Sequence, residues 1–99
     1  MNGLTYQAVV KTPHGYRVGE LTVIVEKGLI SGKMRLHDFA EHYAGTIRED
    51  GSIQLAMNRI VDSSSISCTG IGRIILHCIH ISVECEDFVY EIDGTVQKL

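Results

Sequence analysis

The feature that most constrains this chain is a two-residue hydrophobic period, interrupted at short intervals by turn residues. Leu4, Tyr6, Ala8 and Val10 alternate with Thr5, Gln7, Val9 and Lys11. Leu21, Val23 and Val25 alternate with Glu20, Thr22, Ile24 and Glu26, and Ile30, Met34 and Leu36 with Leu29, Ser31, Lys33 and Arg35. Neighbouring side chains of a strand point to opposite faces, so this period writes a sheet with one buried face, whereas a helix repeats its apolar residues every three or four positions. The interruptions agree. Pro13-His14-Gly15, Lys27-Gly28 and Glu49-Asp50-Gly51 carry tight-turn chemistry, with glycine supplying the positive φ that hairpins need.

Ile53, Leu55 and Met57 mark a fifth strand, Ile66, Cys68 and Gly70 a sixth, Arg73 to Cys85 a seventh, and Phe88, Tyr90, Ile92 and Val96 an eighth. Short antiparallel strands joined by tight turns form a meander, and leaving it open exposes two unpaired edges that closure removes. The pattern therefore predicts one all-β domain over residues 1–99, an antiparallel up-and-down barrel of about eight strands, with an open barrel or β-roll as the alternative. A weak internal echo divides it into halves. Asn2-Gly3 is answered by Asp50-Gly51, and Gly45-Thr46-Ile47 by Gly94-Thr95-Val96.

Composition narrows the functions. The net charge is −3 over 99 residues, and the nine lysines and arginines are scattered. Such a surface attracts neither nucleic-acid phosphates nor anionic lipid headgroups, so neither is expected as a partner. No apolar run reaches the roughly 20 residues that span a bilayer, and MNGLTYQAVVKTP lacks the pattern of a secretory signal. A cytoplasmic address is the expectation. Three cysteines, an odd count, read as reduced thiols that pack as small hydrophobes.

KTPHGYRVGELTVIVEKGLISG (11–32), GTIREDGSI (45–53) and EIDGTV (91–96) resemble a group of small bacterial meander proteins with a KTP-x-G turn and a G-T-I-x-x-D-G-x-I hairpin. The resemblance covers most of the chain and implies a fold; related sequences occur as appendages to redox enzymes. The layout is also similar to streptavidin- and lipocalin-like barrels, which implies small-ligand binding, although no tryptophan is present here to stack on a ligand.

Three groups of residues carry potential chemistry. RIILHCIHISVEC (73–85) places Ile75, His77, Ile79, Ile81 and Val83 on one stripe of a strand and Leu76, Cys78, His80 and Ser82 on the other. At most two ligands per face fall short of a tetrahedral zinc set, so neither metal nor cofactor is expected. The outer stripe, with Leu76, Cys78 and His80, reads as an interface to a second copy or another protein. His37, Asp38, Glu41 and His42 form a second group at a hairpin tip, read as a solvated loop. The third group is the barrel interior, with Tyr6, Tyr43, His77 and Tyr90 inward and Arg59 at a strand end, a possible small-molecule lining. A filled interior is favoured, because eight strands enclose just enough room for side chains or one small ligand. No nucleophile elbow or phosphate loop accompanies these residues, and an enzyme is not expected. The leading reading is a homo-oligomeric or accessory interaction module, with ligand binding in the barrel interior or mouth as the alternative and a His-based metal site ranked below both.

Overall fold

The computed structural model describes the backbone of residues 2–36, 40–61, 64–86 and 88–97, and their side chains except at residues 2, 58–61 and 64–65. Among the described residues the alternation resolves into eight strands: β1 (Asn2–Thr12), β2 (Gly15–Glu26), β3 (Leu29–Arg35), β4 (Ala40–Ile47), β5 (Ser52–Val61), β6 (Ser64–Ile75), β7 (Cys78–Glu84) and β8 (Val89–Val96). Each pairs antiparallel with the next. β1 also pairs with β8, from Tyr6 opposite Val96 to Lys11 opposite Glu91, so the meander closes into a barrel. No helix long and apolar enough to cross a membrane occurs among these residues.

The turns follow from local chemistry. Thr12 pairs with Gly15 across Pro13-His14. The Thr12 hydroxyl accepts from the His14 N–H at 3.2 Å and donates to the Gly15 carbonyl at 3.0 Å. Lys27 and Gly28 take φ of 51° and 79°, the two left-handed residues that a type I′ hairpin loop requires. Before β5, Asp50 accepts the Ser52 N–H at 2.9 Å, and that bond holds the Asp50 carboxyl below its ordinary pKa.

The segment 73–85 differs from the single strand expected of it. A turn at Leu76-His77 splits it, and Ile75 pairs with Cys78 across that turn. Leu76 sits at φ 53°, a left-handed conformation that costs a residue with a Cβ about 1–2 kcal/mol. The faces change accordingly. Ile79, Ile81 and Val83 are buried as expected, whereas Ile75 is exposed and His77 stands in the turn, in solvent.

The same turn sets the cysteines. Its register continues from Thr69 opposite Glu84, and one step further Cys68 and Cys85 are joined by a disulfide with Cα atoms 4.3 Å apart. Closing a 17-residue separation contributes about 3 kcal/mol through the entropy of the unfolded chain. The reduced state expected of these two thiols is thus corrected. The ground it gave for a cytoplasmic address falls with it, since disulfides persist in oxidising settings. Cys78 is free and exposed.

Inside, Tyr6, Leu21, Ile53, Ile79, Ile81 and Ile92 are almost wholly buried, and the void left among the side chains of this end is only about 10 Å³. The two halves also match in build. β1 to β4 run 11, 12, 7 and 8 residues, and β5 to β8 run 10, 12, 7 and 8. Gly45 in β4 and Gly94 in β8 occupy corresponding places: Gly45 is paired to Ile30 and Leu55, Gly94 to Ile79 and Ala8.

At Gly45 the strands approach so closely that an added Cβ would overlap the Gln54 carbonyl oxygen. Backbone cannot step aside as a side chain does, so Gly45→Ala is expected to cost roughly 2 kcal/mol or more. At Gly3 the added methyl meets nothing nearer than 3.8 Å, and Gly3→Ala should stay within about 0.5 kcal/mol. Urea denaturation of the two variants compares them, and equal costs would contradict the close approach.

Candidate functional site

One end of the barrel is packed and the other is not. The ends of β1, β3, β5 and β7 and the starts of β2, β4, β6 and β8 gather at the open end, which the topology dictates for an antiparallel meander. Tyr43 borders both the small void of the packed base and the space above it, so it forms the floor of the mouth. Above Tyr43 lies a cleft of about 610 Å³, within the range of small-molecule sites. Val10, Met34, Leu36 and Phe88 make its walls, and Thr12 to Arg17 its rim. Other hollows, of about 510 Å³ beside Ile24 and Leu29 and about 350 Å³ beside Val9 and Cys78, lie on the outside of the sheet.

Strand parity places one carboxyl inside this apolar mouth. Glu41 and Tyr43 are two apart on β4 and share the inner face. Glu41 is 6% exposed, and its Oε2 accepts from the Tyr90 hydroxyl at 3.2 Å. The same hydroxyl lies 3.5 Å from Met57 Sδ. Phe88 and Tyr90, also two apart, stack with ring centroids 5.9 Å apart. The cleft thus combines apolar walls, an aromatic pair and a buried acceptor.

Of the residues proposed from sequence for the interior, Tyr43 and Tyr90 line this cleft and Tyr6 does not. Tyr6 is buried in the packed base, where its hydroxyl meets no hydrogen-bond partner among the described residues. Burial first, and Cys78 second, raise its pKa. His77 lies at the far end of the barrel, which removes it from any mouth site. The side chain of Arg59 is outside the described residues. So are His37 and Asp38, while Glu41 and His42 point to opposite sides of the sheet, so those two do not converge. Among the described residues no three His, Cys, Asp or Glu side chains come together as a metal set. The wall residues Met34, Leu36 and Phe88 went unassigned from sequence, where they read as plain core, and Glu41 was grouped with a loop. Following the parity of Tyr43 back by two would have found Glu41.

Cys78 and His80 are exposed on the outer face of β7, as the alternation places them, whereas Leu76 is exposed because it stands in the β6–β7 turn. His80 there belongs to a charged row. Its Nδ1–H donates to Asp93 Oδ1 at 2.6 Å, Nε2 lies 3.6 Å from Glu91, and Lys11 Nζ is 3.0 Å from Asp93. The His80 hydrogen bond, then that of Lys11, lowers the Asp93 pKa against the opposing effect of partial burial. A carboxyl whose folded pKa is depressed stabilises the fold above its unfolded value, near 4, and loses that contribution as pH falls through the folded value. Asp93→Asn should therefore cost up to about 1 kcal/mol at pH 7, the small range of solvent-screened pairs. The gap to wild type should close as the pH falls below about 4 and through the lowered folded value in thermal melts; a gap that persists in acid would contradict the assignment.

No protein-family model matches the chain, and no curated protein sequence matches it. Among solved structures the chain is similar to a redesigned β-barrel, mFAP1, bound to DFHBI, with a TM-score of 0.66 and 14% identity, covering 95% of this chain and 92% of that one. The likeness is one of fold.

Proposed function

We propose that this protein is a non-catalytic binder that takes a small, largely apolar molecule into the mouth of its barrel. The observation that carries the reading is the contrast between the two ends: a void of about 10 Å³ below Tyr43 and a cleft of about 610 Å³ above it. Apolar walls with a few convergent polar groups are the usual make-up of a ligand site. The similar barrel mFAP1, seen bound to DFHBI, supports the capacity of this fold for such a role.

Assembly remains as a second reading, drawn from Ile75 and Leu76, which are 55% and 86% exposed at the β6–β7 turn beside the free Cys78. His80 weakens it, because the row through Asp93 and Glu91 makes the adjoining face charged and not continuously apolar.

Native mass spectrometry on freshly purified protein separates the two. A monomer carrying a non-covalent organic adduct is expected, and Val10→Phe, which fills the cleft from its wall, should remove the adduct while leaving the β-sheet circular dichroism unchanged. An adduct that survives the substitution would place the ligand elsewhere, and an adduct-free dimer would favour assembly.

A further inference from the structure

The mouth of the barrel is fastened by a covalent bond beside its wall. The β6–β7 ladder ends at Thr69–Glu84, and the Cys68–Cys85 disulfide is the next rung toward the open end. Its Cα atoms are 4.3 Å apart, the spacing of an antiparallel pair that exchanges no backbone hydrogen bonds. The backbone agrees, because the Cys85 N–H turns away from β6 and donates to the Phe88 carbonyl at 2.9 Å. Sulfur therefore joins the two strands where their amides do not.

Both halves of the bond reach the ring pair of the cleft. Cys85 holds Phe88 through that hydrogen bond, and Phe88 stands in the cleft wall, stacked on Tyr90 at 5.9 Å. Cys68 pairs on its other side with Met57, whose Sδ accepts from the Tyr90 hydroxyl at 3.5 Å. Access is unequal: Cys68 is 4% exposed and Cys85 half-buried, so an incoming thiolate reaches Cys85.

Resting on the reading that the cleft holds a ligand, we infer that the Cys68–Cys85 disulfide is a redox latch on the mouth, which a dithiol reductant opens to loosen the bound molecule. A reductant thiolate attacks Cys85 Sγ, the S–S bond breaks, and Cys68 leaves as a thiolate that takes up a proton. The second thiolate of the reductant then displaces Cys85 and closes a disulfide within the reductant. Two electrons and two protons pass from the dithiol to the two cysteines. The strand end beyond Glu84 thereby loses its covalent link to β6, and the turn that carries Phe88 can swing from the wall. A wall seated about a tenth of the time weakens binding about tenfold.

The chain contains no tryptophan, so indole fluorescence reports added tryptophol, a neutral indole alcohol, alone. Titrations compare the oxidised protein with protein held in dithiothreitol, and circular dichroism is recorded on both. The reduced form is expected to keep its β-sheet spectrum and to bind tryptophol about tenfold more weakly. The double variant Cys68→Ser, Cys85→Ser should bind with the reduced affinity and give no response to the dithiol, although Cys78 remains. Equal affinities in the two states of the wild type would overturn the latch while tryptophol binding still upheld the cleft. A sheet lost on reduction would also overturn it, since the bond would then hold the fold and not the wall. So would a double variant that still responds to the dithiol. Binding in neither state would overturn the cleft and the latch together. Should the double variant fail to fold, the wild-type Phe88 amide resonance answers in its place: reduction must move it more than the amides of Leu76 to Ile81, and equal shifts would overturn the latch.

Discussion

Everything in this structure depends on the ladder that joins the first strand to the last. Six pairs, from Tyr6–Val96 to Lys11–Glu91, turn a meander into a closed surface. Without them β1 and β8 are exposed edges, which sheet proteins must otherwise cover or blunt. With them the alternation acquires a meaning, since one face of every strand now looks into a shared interior. Closure also fixes how much fits there, because the diameter follows from the strand number. Tyr6, Leu21, Ile53, Ile79, Ile81 and Ile92 fill one end of that space. Among the described residues the side chains thin out above Tyr43, and the space they leave there is the cleft.

Bending eight strands into so narrow a barrel brings backbones into contact on the inner face. Gly45 and Gly72 mark two such places, where a Cβ would overlap the carbonyl oxygens of Gln54 and His80. Both glycines fall on the inward parity of their strands, so they replace core side chains by close strand approach. Packing at the base and openness at the mouth are thus two results of one constraint, the fixed circumference. Ligand binding, where proposed, uses the surplus.

Much of this was legible in the sequence because period and turns spoke together. The inward residues of β1, β2, β3, β5 and β8 follow from alternation, and the turns at Pro13-His14, Lys27-Gly28 and Asp50-Gly51 from residues that accept such φ values. The β6–β7 turn was not legible, since Leu76 and His77 carry no turn chemistry and Leu76 takes a left-handed φ against its own preference. That single gap hid two further facts. With an unbroken strand assumed, His77 pointed inward. Without the turn centred between residues 76 and 77, nothing showed that Cys68 and Cys85 stand opposite each other. Glu41 was hidden differently. Its letter was plain and Tyr43 already read as inward, but grouping Glu41 with the hairpin tip instead of with β4 kept it from sharing that parity.

Where a ligand binds on this barrel matters as much as whether one binds. The most direct test is a set of ¹H–¹⁵N correlation spectra recorded as neutral tryptophol is added to the labelled protein. Amide shifts are expected to concentrate at Val10, Thr12, His14 to Arg17, Met34, Leu36, Phe88 and Tyr90, with Leu76 to Ile81 at the opposite end left in place. Shifts centred on the Ile75–Cys78 turn, or spread evenly around the barrel, would contradict a site at the mouth.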